Sequence, residues 1–195
     1  YVACGGLVLK KYDTNGNVLW SNTSITGTIP FSNPNAHFAE TMALDENNDV
    51  YIVTTATVIK FSGSTGIKLW EVTPAYEPRA VATDKNGYVY VTGRSGGSWI
   101  YTSKYQLNGT LQWTTPALAA YESSDIAIAP NGDVAVTAMV ATGGASISFY
   151  LKTVLYNSSG IKQWETTYSD IDYIYCRKIA FDPNGDIIVA AGSPN

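Results

Sequence analysis

Charge, sulfur and imidazole are all scarce in this chain. Of its 195 residues only 14% are Asp, Glu, Lys or Arg, against about 25% in an ordinary soluble protein, and there are two cysteines, two methionines and one histidine. Two distant cysteines, Cys4 and Cys176, with no C-x-x-C pair, exclude a zinc ribbon or finger. His37 is the single imidazole, sits in a Pro- and Asn-rich stretch and has no Gly-x-Ser-x-Gly elbow, so a Ser-His-Asp hydrolase is not expected. No basic run exceeds Lys10-Lys11 and the net charge is -4, which argues against nucleic acid, whose phosphates require a clustered basic face. No stretch approaches the ~18 apolar residues of a membrane span.

What the chain does have is tyrosine, small polar residues and repetition. Fourteen residues are Tyr and 45% are hydrophobic, in short bursts. Four segments carry a Gly four residues before a Trp: Gly16/Trp20, Gly66/Trp70, Gly109/Trp113 and Gly160/Trp164. Successive glycines lie 50, 43 and 51 residues apart and the tryptophans keep the same spacings, so each pair moves as a unit. A second motif alternates with the first: Met42-Ala-Leu-Asp45 through Asn48-Asp-Val-Tyr, Val81-Ala-Thr-Asp84-Lys-Asn-Gly87-Tyr-Val-Tyr, Ile126-Ala-Ile-Ala-Pro130-Asn-Gly132 and Ile179-Ala-Phe-Asp182-Pro-Asn-Gly185. Each reads as strand, Asn-Gly-type turn with positive φ at both turn positions, strand.

Every repeat therefore holds four short strands, A to D, with A before the Asn-Gly turn, B after it, C leading to the Lys-Tyr or Lys-Phe pair, and D bearing the Trp. Four strands every 40–50 residues or so is the pattern of a β-propeller blade. The expected fold is all-β, a propeller of four-stranded antiparallel blades with about four repeats in one domain over residues 1–195. Repeat divisions fall near 1–38, 39–77, 78–122, 123–175 and 176–195. Small strand-A residues, Ala43, Ala82, Ala127 and Ala180, suit a crowded axis, and Trp20, Trp70, Trp113 and Trp164 are expected to pack between blades.

The Gly-x-x-x-Trp half, with its preceding Lys-Tyr pair, resembles the repeat of quinoprotein-type (PQQ-like) propellers. The stretch Asp84-Lys-Asn-Gly87-Tyr-Val-Tyr-Val-Thr-Gly93 is similar to the seven-bladed bacterial and archaeal repeat SBBP and, more loosely, to NHL repeats. The resemblance implies architecture over nearly the whole chain. Such propellers serve as enzymes, scaffolds and adhesive modules alike, so it does not name an activity.

In strand order the chain runs B-C-D, three A-B-C-D sets, then A-B, with Tyr1–Gly6 and Ile187–Gly192 both matching strand B. This phase, and a first residue that is not Met, favour part of a longer propeller of about six to eight blades. The other reading is a compact four-bladed ring, one B copy displaced or offered to a neighbouring subunit as an edge strand.

Site candidates are sparse. Cys4 and Cys176 are a candidate disulfide. Asp45, Asp49, Asp182 and Asp186 are candidate calcium ligands, ranked below the turn-building role of such residues. Asn22, Asn108 and Asn157 head Asn-x-Ser/Thr sequons, the latter two on C–D turns. Trp99, Tyr101, Tyr121, Tyr168, Tyr173 and Tyr175 are candidates for a sugar- or protein-binding face, with packing expected for the majority and exposure from Tyr168 to Tyr175. The expected function is a non-catalytic, secreted or cell-surface module for binding, adhesion or assembly, such as a filament or surface-layer component. It has no cofactor and takes a protein or glycan partner, with self-association through a terminal strand. The competing readings are a quinoprotein-like oxidoreductase fragment and a scaffold for envelope protein assembly.

Overall fold

A computed structural model describes residues 7–25, 41–141, 148–169 and 175–192. The described residues form seventeen strands and no helix. The first hairpin is β1 (Leu7–Tyr12) and β2 (Val18–Ile25). Blade 1 is β3 (Met42–Leu44), β4 (Val50–Val53), β5 (Val58–Phe61) and β6 (Lys68–Val72). Blade 2 comprises β7 (Glu77–Thr83), β8 (Val89–Ser95), β9 (Trp99–Tyr105) and β10 (Leu111–Thr114), with the short β11 (Leu118–Ala119) also pairing β9. Blade 3 consists of β12 (Glu122–Ile128), β13 (Val134–Ala141), β14 (Phe149–Tyr156) and β15 (Lys162–Tyr168); β16 (Tyr175–Phe181) and β17 (Ile187–Gly192) follow as a last hairpin. Apart from the β11–β9 pair, all pairings are antiparallel between strands adjacent in sequence, which is the A-B-C-D order expected. The first hairpin is then a C–D pair and the last an A–B pair; the first strand-B copy lies outside the described residues.

Strand A of each sheet touches strand A of the next, β3 against β7, β7 against β12 and β12 against β16, so these strands form the inner side of the stack. Ala43, Ala82 and Ala127 are half-buried there and Ala180 is exposed. The second strands are covered on both faces: β4 and the first five residues of β8 are buried throughout, because a neighbouring sheet lies on either side. Strand D is the outermost, and β15 is exposed along its whole length.

The core is a series of layers between sheets. Leu9, Ile25, Ile59 and Phe61 join the first hairpin to blade 1; Tyr51, Val58, Val81, Val89 and Tyr105 join blades 1 and 2. Tyr90, Ile100, Val134, Val136 and Tyr156 join blades 2 and 3, and Leu151 against Val189 begins the layer to the last hairpin. Fully burying one such side chain is worth about 1.5–3 kcal/mol, so each layer depends on both of its blades.

The A–B turns differ from the expected geometry. Only one residue in each has positive φ, namely Asn48 (61°), Gly87 (78°), Gly132 (87°) and Gly185 (90°). The N–H of that residue donates to the carbonyl three residues back, as Gly87 does to Asp84 at 3.0 Å. These are type I turns closed by a single left-handed residue. In three of the four turns an aspartate braces this geometry, one Asp84 oxygen accepting the N–H groups of Asn86 and Tyr88 at 2.9 and 3.0 Å; the turn headed by Ala129 adopts it without one, with Pro130 at its second position.

Candidate functional site

Two sets of polar side chains are organised by this stacking. The first lies at the A–B turns. Asp45 caps its turn through Oδ1, which accepts from Asn47 N and Asp49 N, while its Oδ2 accepts from the Tyr51 hydroxyl at 2.9 Å and from Lys60 Nζ at 3.2 Å. Asp49 lies 3.0 Å from the same ammonium and accepts from Gly63 N at 2.9 Å. Burial pushes the Asp45 carboxyl up, but the Tyr51, Asp49 and Lys60 donors outweigh it and hold it below the usual carboxylate range. In blade 2 the Tyr90 hydroxyl donates to Asp84 at 2.9 Å, and the Lys104 ammonium lies over the Tyr88 and Tyr90 rings at 4.1 and 5.1 Å.

Blade 3 replaces all three members at once: Ala129, Ala135 and Leu155 stand where the earlier blades have Asp, Tyr and Lys. Ala135 pairs with Leu155 in the register in which Tyr51 pairs with Lys60 and Tyr90 with Lys104. The sequence reading missed this trio, although the joint replacement was a legible signal.

The candidate calcium ligands are thus held by protein donors at three of four positions: Asp45 and Asp49 as above, and Asp182 by the N–H groups of Asn184 and Asp186 at 2.8 and 2.9 Å. Asp186 lies at the end of that last turn. Among the described residues no three His, Cys, Asp or Glu side chains are grouped to hold a metal ion. Cys176 lies in β16, and Cys4 and His37 are outside the described residues. Asn108 presents an exposed amide on the β9–β10 turn, and Asn157 uses its oxygen to cap the β14–β15 turn through Ser159 N and Ile161 N at 3.0 Å. Asn22 is committed elsewhere, its amide nitrogen donating to Gly66 O of blade 1 at 2.8 Å.

The second set lies on the opposite face, where strands A begin and strands B end. Glu77 and Arg79 open β7, Arg94 closes β8 and Glu122 opens β12. Together they form a ring of ion pairs: Arg79–Glu77 at 3.0 Å, Arg79–Glu122 at 2.9 Å, Arg94–Glu77 at 3.2 Å and Arg94–Glu122 at 3.4 Å. Arg79 and Glu122 are buried, and their Nε and Oε1 make no aligned hydrogen bond despite their closeness. Burial accordingly pushes the Glu122 carboxyl up, against the pull of Arg79 and Arg94. Beside the ring, Asp125 Oδ2 accepts Ile179 N at 2.9 Å, fastening blade 3 to β16.

Exposed aromatics share this face. Trp99 begins β9, Tyr121 precedes β12 and Tyr168 ends β15, and each is more than two-fifths exposed. Phe149 supports Tyr121, with ring centroids 5.5 Å apart. Of the other aromatic candidates, Tyr101 is stacked on Tyr76 at 5.7 Å, Tyr175 lies in β16 and Tyr173 is outside the described residues. Tyr76, Tyr101 and Tyr105 also line a pocket of about 590 Å³ between the exit from blade 1 and the outer strands of blade 2. The arrangement offers aromatic platforms on the same face as a charge-neutral ring of ion pairs, which suits contact with a polar partner.

This geometry defines a β-propeller repeat protein. Residues 72–98, from the end of β6 to the start of β9, match the family model of the beta-propeller repeat SBBP. No curated protein matches the sequence. Among solved structures, the chain is similar to Kuenenia stuttgartiensis hydrazine synthase, at 17% identity and TM-score 0.65 over 92% of this chain and 48% of that one. It is equally similar to the Dos1 propeller, at 10% identity and TM-score 0.65 over 93% and 47%. The quinohemoprotein alcohol dehydrogenase ADHIIG from Pseudomonas putida HK5 aligns at 16% identity and TM-score 0.58 over 94% and 35%. The chain spans about half the length of the first two and about a third of the last. At these identities the likeness is one of fold.

Proposed function

We propose that this chain is a non-catalytic binding module that works outside the cell or at its surface. It holds a protein or glycan partner on the face that carries Trp99, Tyr121 and Tyr168. The observation that carries the reading is the position of these three exposed rings at strand ends on the face that also carries the Arg94–Glu77 ion pair. Large rings with little freedom to lose are efficient contact groups, and the fixed charges add orientation. The buried acids and bases are engaged with one another or with turn N–H groups, a structural use of charge rather than a catalytic one. Low overall charge and the exposed Asn108 sequon support an extracellular setting.

The test is attachment of the purified chain to cell-surface polysaccharide and surface-protein fractions, read by tryptophan fluorescence and surface retention. The Trp99→Ala/Tyr121→Ala/Tyr168→Ala variant is expected to lose attachment at least ten-fold with an unchanged circular dichroism spectrum. Wild-type attachment by that variant, or a quinone absorbance band in the protein purified from its source, would overturn the proposal.

A further inference from the structure

The acid and lysine that meet at the A–B turns balance their charges differently from blade to blade. In blade 1 the buried Lys60 ammonium has two carboxylates, Asp45 at 3.2 Å and Asp49 at 3.0 Å. Blade 3 has neither charge, with Ala129 and Leu155 in those places. Blade 2 keeps the lysine but loses one acid: Tyr88 stands four residues after Asp84, where Asp49 stands four after Asp45. The acid that remains is committed, one Asp84 oxygen to the N–H groups of Asn86 and Tyr88 and the other to the Tyr90 hydroxyl. Among the described residues Lys104 therefore has no ion pair and no hydrogen bond, and its ammonium rests 4.1 Å from the Tyr88 ring centroid. Burial pushes its pKa down, with the Asp84 charge only partly offsetting it, so this cation gains from a further anion.

There is room for one. Lys104 and Tyr88 line a pocket of about 360 Å³ between the A–B turns of blades 2 and 3, closed on the blade 3 side by Pro130, Asn131 and Ser158. That volume lies toward the lower end of small-ligand sites, which span about 300–1,000 Å³. The far wall is held in place: the Ser158 carbonyl accepts the Trp113 indole N–H at 3.2 Å, and the Asn131 amide donates to Asp133 at 2.9 Å. The Ser158 hydroxyl and the Asn86 side-chain amide, both at the pocket, have no protein partner among the described residues. Lys85 also lines it, so two ammonium groups face one carboxylate in a chain whose net charge is -4.

We propose that this pocket binds a uronate, a sugar ring bearing a carboxylate, with the carboxylate on Lys104 and the ring hydroxyls on Asn86 and Ser158. The ligand supplies the charge that Asp49 supplies in blade 1. An acidic side chain of a protein would match the charge but bring no hydroxyls to the amide and the serine. The site lies on the face of the A–B turns, opposite Trp99, Tyr121 and Tyr168, and does not depend on them.

The test is a titration of the 195-residue chain with glucuronate, followed by the NMR signals of the Asn86 side-chain amide and the Lys104 backbone N–H. Both are expected to shift saturably, with glucose and acetate each binding at least ten-fold more weakly. Lys104→Gln should weaken glucuronate at least ten-fold. Tyr88→Asp rebuilds the blade 1 arrangement and gives Lys104 an internal counter-ion, so it should weaken binding as much while a cooperative urea transition is kept; that variant separates a filled site from a lost fold. The absence of a saturable shift with glucuronate overturns the proposal. So does acetate binding as tightly, which means a bare anion site, or an aspartate-rich peptide binding more tightly, which means a protein partner. Glucuronate binding that neither substitution changes overturns it as well.

Discussion

Tyr51 and Lys60 face each other across β4 and β5 and converge on one carboxylate, that of Asp45, at 2.9 and 3.2 Å. All three side chains belong to buried residues, and the Tyr51 ring also lies 5.0 Å from the ammonium and 5.7 Å from the Trp70 ring. A hairpin turn, a sheet pairing and a blade interface are thereby tied to one acid.

The trio is expected to act as a unit. Asp45→Ala leaves a buried ammonium with Asp49 alone, removes the acceptor of Tyr51 and uncaps two turn N–H groups, a loss of about 3 kcal/mol. Lys60→Leu strands the carboxylate at similar cost. The double variant reproduces the apolar choice of blade 3 at two positions, and should lose at least about 1 kcal/mol less than the sum of the singles. Urea unfolding of the four proteins checks this; additive losses would show that the charges do not depend on each other.

A second expectation separates two reasons for glycine. Gly160 and Gly185 both have positive φ, 79° and 90°, but a Cβ on Gly160 would strike the Trp113 ring at 2.8 Å whereas one on Gly185 meets nothing within 4 Å. Gly185→Ala should cost about 1 kcal/mol of backbone strain alone. Gly160→Ala carries that strain and also displaces the indole, so it should lose at least about 1 kcal/mol more. Equal losses in thermal or urea unfolding would mean that Trp113 yields freely and that the blade interface does not rest on its seat.

The contrast also marks what could be read from the chain. The constant Gly-to-Trp spacing was visible as a repeat, because it is local, and so were the strand runs. The contact it serves is not local: Trp20, Trp70 and Trp113 each meet the glycine of the following repeat, and no spacing within one repeat records that. The turn type escaped for a different reason, since Asn-Gly alone suggests two left-handed residues, whereas all four turns use one, with an aspartate bracing three of them and Pro130 in the fourth. The ion ring of Glu77, Arg79, Arg94 and Glu122 left no motif at all. Its members come from three strands and two blades, and only the stacking of β7 and β8 against β12 brings them within 3.4 Å.

Asp45 and the Glu122 of that ring give the protein opposing responses to pH. Asp45 has a folded pKa below the usual value, so its contribution is present above the unfolded carboxylate range and fades as pH falls through the folded pKa. Glu122 is displaced upward by burial, with Arg79 and Arg94 only partly offsetting it. The folded protein then binds the Glu122 proton more tightly than the unfolded chain does. Ionising Glu122 therefore costs stability as pH rises from the ordinary glutamate range through its raised folded value. Glu122→Gln removes this one titration and leaves Asp45 in place. Urea midpoints taken from acid to neutral pH should show the wild type losing ground to the Glu122→Gln variant as pH increases across that window. A wild type that instead gains on the variant with rising pH would mean that the two arginines outweigh burial. The ring would then stabilise the joint between blades 2 and 3 as an ion pair, rather than tolerate its charge.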